Sequence, residues 1–226
     1  MIAIIEGGGG ISKLLKEKIK KSILVKLPLK SDIDEIICLL KNKGIKRVIF
    51  AGKFEKAMLY KTKEFFPKKD DDSIIKYISS RFEKEGIRVL NQRRYLSSYL
   101  AKKGPLTPCK PSKDEMEDIE KGLIVAKKIN SLGIGQSVCI KDGIIISVEG
   151  LEGTNETIKR AGKITDGFVV VKYGKKGREI PVIGEETIMV MKKANATALA
   201  IKNNIVIILP KTLELAEKSR ISVVGV

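Results

Sequence analysis

The chain has 226 residues, a formal charge of +17 and 43% hydrophobic side chains, which is enough for one broad domain or two ordinary ones with packed cores. It contains no histidine, which excludes His-based zinc, a Ser-His-Asp or Cys-His pair and a histidine general base. No apolar stretch approaches the roughly 18–20 residues that span a bilayer. Cys38, Cys109 and Cys139 are odd in number and far apart, as free thiols of a reducing cytoplasm are.

The opening run Ile2–Ile5 is a short apolar strand. It leads through Glu6 and four glycines into Ile11-Ser12-Lys13-Leu14-Leu15, which reads as a helix opening. No basic segment precedes the apolar run, so no signal peptide is expected. A second strand is predicted over 23–27. Ser31-Asp32 then caps a helix with Ile33, Ile36, Ile37 and Leu40 at helical spacing. A third strand, 48–51, ends at Gly52-Lys53. Helices over 54–66 and 73–85, a strand over 87–90 and a short helix through Tyr95 and Leu100 follow. This alternation predicts a parallel, Rossmann-like α/β domain over 1–103.

Three prolines between Gly104 and Pro111 predict a linker over 104–113. Beyond it, 114–131 is an amphipathic helix with Ile119, Leu123, Ala126 and Ile129 on one side. Apolar runs 137–140 and 144–148 flank Lys141-Asp142-Gly143, a hairpin signal because Asp-Gly accepts positive φ. Helix 154–161, strand 168–172, a glycine-rich loop and helix 185–194 come next. Strands 198–201 and 205–209, helix 210–219 and strand 221–224 complete a mixed α+β domain over 114–226.

Gly7, Gly8 and Gly9 suggest a dinucleotide loop, but Ser12 occupies the third glycine's place. Lys26 and Lys30 stand where a ribose-holding acid belongs, which argues against NAD. The loop is either a phosphate cradle of backbone N–H groups or a tight turn. Gly52 and Lys53 sit at the carboxyl end of a strand, where open α/β sheets bind ligands. Asp70-Asp71-Asp72 is either a metal or ligand contact or a solvated helix start. At the end of the hairpin, Glu149-Gly150-Leu151-Glu152-Gly153-Thr154-Asn155 brings two carboxylates and two glycines to a new helix. That arrangement suits a phosphate at the helix start, or is a tight strand-to-helix turn with two solvated glutamates.

The charge points to an anionic partner. Lysine supplies most of it, however, and sequence-reading nucleic-acid sites rely on bidentate arginine. With 5% aromatics and no tryptophan there are few stacking platforms, so nucleic acid is disfavoured. Without histidine, proton transfer has to run through carboxylates, lysine, tyrosine or metal-bound water, and Mg2+ on Asp/Glu oxygens suits that inventory.

Taken in order, these pieces resemble the UDP-2,3-diacylglucosamine pyrophosphatases of lipid A biosynthesis, of the type unrelated to calcineurin-like phosphoesterases. The resemblance rests on Gly7-Gly8-Gly9, Phe50-Ala51-Gly52-Lys53, Asp71-Asp72 before Ile74-Ile75, and Gly135-Gln136-Ser137-Val138. It continues through Val148-Glu149 with Glu152-Gly153-Thr154, Val170-Val171-Lys172, Pro181-Val182-Ile183-Gly184 with Thr187, and Val223-Val224-Gly225. It implies a two-domain enzyme with its ligand in the cleft between domains. That enzyme uses Mg2+ to hydrolyse UDP-2,3-diacylglucosamine to lipid X and UMP, with water directed to the sugar-side phosphorus.

On the same resemblance Glu179, Glu149 and Glu152 lie nearest the metal or water, Glu179 and Glu152 as catalytic acids, and Lys172 and Arg178 clamp phosphate. Gly7, Gly8, Gly9, Gly52, Lys53, Asp71, Asp72, Gln136, Ser137, Thr154, Asn155 and Thr187 contact substrate. Such a protein works in the cytoplasm at the inner-membrane surface, which it meets peripherally, and a homodimer is compatible with it. Asn155 and Glu179 both stand where the family carries aspartate, and the 173–178 loop is shortened. A relative that binds a nucleotide-sugar or glycolipid without turnover is therefore the alternative.

Overall fold

Continuous apolar runs such as Ile2-Ala3-Ile4-Ile5 are what a strand covered on both faces requires, and the first sheet is built of them. In the computed structural model the described residues are 1–6, 10–26, 33–51, 71–174 and 180–226, with backbone alone at 71–75. They form two compact units, one from the described residues of 1–98 with Ile180 and one from those of 99–174 and 181–226. The helix expected over 54–66 lies outside the described residues.

The first unit runs β1 (Ile2–Glu6), α1 (Ile11–Lys18), β2 (Ser22–Lys26), α2 (Ile33–Asn42), β3 (Arg47–Ala51), α3 (Asp71–Lys84), β4 (Arg88–Val89) and the short α4 (Arg93–Leu96). Its sheet has the order β2-β1-β3-β4, parallel throughout, as the alternation predicts. Ala3, Ile5 and Val48 join Ile36, Ile37, Leu40, Ile78 and Phe82 of α2 and α3 in one core. Phe82 meets Phe50 edge to face at 5.5 Å. Strand alternation turns Ile4 and Ile49, both fully buried, to the other face, and α1 contributes its own buried Ile11 and Leu15. From β1 the chain crosses first to β2 on one side and then to β3 on the other, so the order reverses between β1 and β3. Glu6 pairs with Ala51 there, and the strand ends that precede Gly7 and Gly52 are neighbours.

The second unit contains β5 (Gly104–Pro105), α5 (Lys113–Ser131), β6 (Ser137–Lys141), β7 (Ile144–Val148), α6 (Thr154–Gly162), β8 (Val169–Lys172) and β9 (Val182–Ile183). It continues with α7 (Glu185–Lys193), β10 (Ala198–Ile201), β11 (Ile207–Ile208), α8 (Pro210–Lys218) and β12 (Ser222–Gly225). The sheet order is β5-β12-β10-β8-β6-β7. Strands β8, β10 and β12 are parallel, whereas β5, β6 and β7 pair antiparallel. Its two faces separate by strict alternation. Val138, Ile140, Val169, Val171, Ala198 and Ala200 pack against α5. Cys139, Val170, Leu199, Ile201 and Val223 pack with Ile158 of α6, Ile188 and Met191 of α7 and Ala216 of α8. Burial pushes the Cys139 thiol up to about 12. The three cysteines are free thiols.

Within the proline-rich 104–113 segment, β5 is the sheet edge beside β12. Leu106 N–H donates to Val223 O at 2.8 Å, and Thr107 Oγ1 accepts from Val223 N–H at 2.9 Å. Proline lacks an N–H, and an edge strand tolerates this because one side of it has no ladder to complete. Gly225 is required opposite it, since a Cβ there would lie 1.8 Å from Lys102 O. The strand expected over 205–209 shrinks to β11, which leaves the main sheet to pair in parallel with β9. An apolar run is buried either way, and Val182–Ile183 supplies the partner that periodicity alone does not reveal.

The hairpin forms as expected, with Asp142 at φ 50 and Gly143 at φ 73. A tertiary contact holds it: the buried Asp118 carboxylate of α5 accepts Asp142 N–H at 2.9 Å and Gly143 N–H at 2.7 Å. Ser112 and Glu115 close the start of α5 with a reciprocal capping box. Asp118→Ala strands both turn N–H groups and should lower the unfolding free energy by about 2–3 kcal/mol in urea titration. Asp118→Asn, which keeps one acceptor, should fall between it and the parent.

Candidate functional site

Pairing of β6 with β8 sets Ser137 opposite Lys172, and Val138 opposite Val148 brings the end of β7 alongside. Glu149 follows β7, and Thr154 opens α6. Four polar side chains from four elements thus meet at one end of the sheet, all buried. Lys172 Nζ donates to Thr154 Oγ1 at 2.7 Å and to Ser137 Oγ at 3.2 Å. Thr154 O–H donates to Glu149 Oε2 at 3.1 Å. Lys172 Nζ lies 3.8 Å from the same oxygen. With the Thr154 proton directed to Glu149, the 3.3 Å contact between the two hydroxyls takes its proton from Ser137. Every hydroxyl then has a defined direction. Gly135 makes the closure possible: a Cβ there would lie 2.1 Å from Glu149 O.

A second feature adjoins this network. α6 and α7 begin side by side, and Thr187 O–H of α7 donates to Asn155 Oδ1 of α6 at 3.0 Å. Their N-cap residues are Gly153 and Gly184, and neither helix has a side-chain cap hydrogen bond. First-turn N–H groups without intrahelical acceptors create positive potential at both starts. The exposed Glu156, Glu185 and Glu186 of the first turns complement it, and Glu156 is itself paired with Lys159. Gln136, half-buried, accepts Tyr173 N–H at 2.7 Å through its backbone carbonyl.

Glu152 belongs to a different arrangement. Its Oε1 takes the Arg160 guanidinium and, at 3.3 Å, the Thr157 hydroxyl, while Arg160 also holds Val148 O at 2.7 Å. Partial burial works to raise the Glu152 pKa. Its own backbone N–H, the Arg160 guanidinium and the Gly150 N–H outweigh burial and leave it below the usual carboxylate range. The sequence does not signal Arg160 and Thr157, because their spacing of eight and five from Glu152 across a turn follows no local pattern. In the first unit, Ser12 O–H donates to Glu6 Oε1 at 2.7 Å at the end of β1, another pair without a local pattern in the sequence.

Among the described residues, no three His, Cys, Asp or Glu side chains gather as a metal site. Glu149 faces an ammonium and Glu152 a guanidinium, so neither carboxylate fits Mg2+ as it stands. Gly7, Gly8, Gly9, Gly52, Lys53, Arg178 and Glu179 lie outside the described residues. Asp71 and Asp72 open α3, with their backbone alone described.

The geometry defines a two-unit α/β protein with a buried Lys–Glu network beside paired helix starts. Residues 102–224 match the LpxI C-terminal domain and residues 10–99 the LpxI N-terminal domain. The chain belongs to the LpxI family. It is similar to the UDP-2,3-diacylglucosamine pyrophosphatase LpxI of Caulobacter vibrioides, 30% identical over 101 residues, 45% of this chain and 36% of that protein. The match therefore spans about a third of that relative's length.

Glu149→Ala and Lys172→Ala each strand a buried charge and should cost about 3–5 kcal/mol of unfolding free energy. Glu149→Ala with Lys172→Ala should cost less than the sum of the two single changes, and additive losses would show the pair to be uncoupled. A separate acid titration of stability tests Glu152. Its folded pKa is depressed, so its contribution is present above the unfolded carboxylate pKa and lost as pH falls through the folded value. The unfolding free energy of Glu152→Gln should therefore fall less steeply than the parent's across that range.

Proposed function

We propose that the chain hydrolyses the pyrophosphate of UDP-2,3-diacylglucosamine, releasing UMP and leaving the sugar 1-phosphate lipid. In this reaction water adds to the sugar-side phosphorus and the phosphoanhydride bond breaks, with UMP leaving on the bridging oxygen. Family membership along nearly the whole chain and the name of the Caulobacter vibrioides relative support the substrate class. The observation that carries the site is the bond joining Asn155 to Thr187, which sets two helix starts together beside Lys172. Positive potential from two helix N-termini and a buried ammonium suits a phosphate and the charge that grows on it during displacement.

In this reading Thr154, Asn155, Thr187 and Gln136 face the phosphates. Ser137 and Glu149 hold Lys172 and Thr154 in place. The family resemblance assigns the phosphate clamp and the acid to Arg178 and Glu179, which lie outside the described residues. A Mg2+ requirement enters through the charge of the pyrophosphate rather than through Glu149 or Glu152, and the work is done in the cytoplasm.

Release of UMP from UDP-2,3-diacylglucosamine, followed with Mg2+ and with EDTA, tests the proposal. Glu179→Ala should cut turnover by about 100-fold or more with the fold intact, while Glu179→Asp, which restores the family residue, should be tolerated. Equal rates in EDTA would remove the metal, and no release under any condition would remove the activity. Asn155 in place of the family's aspartate favours a second reading, binding without turnover. Calorimetric binding with no UMP on prolonged incubation supports it, and restored turnover in Asn155→Asp would trace the loss to that residue.

A further inference from the structure

The turn between β7 and α6 carries Glu149 into the Lys172 network and delivers Thr154 and Asn155 to the start of α6. Its own backbone closes weakly, with Gly153 N–H reaching Gly150 O at 3.3 Å. Gly153 itself stands at φ 83, where a side chain would be strained. Two anchors tie α6 to β7. Ser147 O–H on β7 donates to Thr157 O at 3.0 Å, which fixes the body of the helix against the strand. Arg160, three residues further on, leans back along the helix and donates through one nitrogen to Val148 O at 2.7 Å and to Glu152 Oε1. Val148 closes β7 and Glu152 lies beyond Gly150, so a single guanidinium spans the turn.

The same arrangement occupies Glu152. An ionised carboxylate offers about four lone-pair sites. Those of Glu152 meet the Arg160 guanidinium, the backbone N–H groups of Glu152 and Gly150, and the Thr157 hydroxyl, which Glu152 shares with Gly153 O. Gly150 leaves room for this, since a Cβ there would lie 2.8 Å from Glu152 Oε2 and push the carboxylate aside. A carboxylate so engaged is a poor ligand for a metal and a poor base for water. Folding stability does not account for the pair either. The Arg160 and Glu152 side chains are 51% and 34% exposed, and ion pairs so open to solvent add little to stability. What the pair fixes is the path of the turn.

We propose that Arg160 and Glu152 are positioning residues that clasp the β7–α6 turn and so set Thr154, Asn155 and the start of α6 for a phosphate of the substrate. The assignment rests on the functional reading above and takes Glu152 out of the chemistry. Without the clasp an anion has to order the turn as it binds, and affinity falls by the cost of that ordering.

Turnover is followed as UMP release from UDP-2,3-diacylglucosamine, and binding by calorimetry with inorganic pyrophosphate, which needs no turnover. Arg160→Ala should weaken pyrophosphate binding and lower kcat/KM at least about tenfold, mainly through KM, because the ordering cost falls on the bound ground state as well. Its melting temperature should stay within about 2 °C of the parent's. Glu152→Gln keeps an acceptor for Arg160 and should remain within about threefold of the parent, whereas a catalytic acid or metal ligand would lose about 100-fold in kcat. Lys159→Ala removes the same charge from the neighbouring position, where it pairs with Glu156 and not with the turn, and should bind as the parent does. Parental binding and kcat/KM in Arg160→Ala overturn the proposal, as does equal weakening in Lys159→Ala, which would make the effect one of charge. A loss matched by a fall in melting temperature makes the pair merely structural, and a 100-fold lower kcat in Glu152→Gln returns Glu152 to the chemistry; either result also overturns it. If the parent binds pyrophosphate but releases no UMP, the activity falls and Arg160→Ala still decides the clasp through binding. A parent that does neither overturns both.

Discussion

Removing Lys172 and Glu149 from water costs several kcal/mol for each ion. Their attraction at 3.8 Å returns only about 4 kcal/mol at an effective dielectric of about 20. Coulomb attraction alone does not offset the desolvation, so the hydroxyls of Thr154 and Ser137 are part of what makes the pair tolerable. That requirement constrains the second unit. Lys172 has to end β8 level with Ser137 on β6, β7 has to deliver Glu149 to the same end, and α6 has to begin with Thr154 inward. A strand slipped by one residue would turn its side chain to the opposite face and leave a buried charge unmatched.

The network also decides what the neighbouring groups can offer a ligand. Glu149 and Glu152 both answer cations of the chain, one on β8 and one on α6, which leaves them poor partners for a metal. The ends of α6 and α7 present backbone N–H groups instead, tied together by Asn155 and Thr187. An aspartate at 155 would bring negative charge to this point. Asparagine keeps the bond to Thr187 and leaves the potential positive, which suits holding an anion and supplies no charge to a cation. This single residue separates the two functional readings more sharply than any other described side chain.

Packing of α5 links the inside of the second unit to its outer surface. Gly122 allows the helix to approach Val171 and Ile140, and Asp118 holds the hairpin turn. With one stripe committed to the sheet, the residues opposite it remain in water, and Ile124 is apolar there without a packing reason within the unit. The buried stripe is explained by the fold.

Local chemistry by itself determined a good deal. Apolar runs such as Ile2–Ile5 and Val169–Val171 specified strands covered on both faces, helical spacing at Ile33, Ile36, Ile37 and Leu40 specified α2, and Asp142-Gly143 specified the turn. The ordered motifs specified the family across both halves of the chain. Only the tertiary structure decided the rest. Pairing assigned β5 to the edge beside β12 and β11 to β9, choices that residue pattern leaves open because an apolar or proline-bearing segment satisfies several environments. Folding likewise separated two glutamates that look equivalent three residues apart, giving Glu149 to Lys172 and Glu152 to Arg160. A carboxylate's role depends on which cation lies within a few ångströms, and that distance is set by chain crossings over 8 to 23 residues rather than by neighbours in sequence.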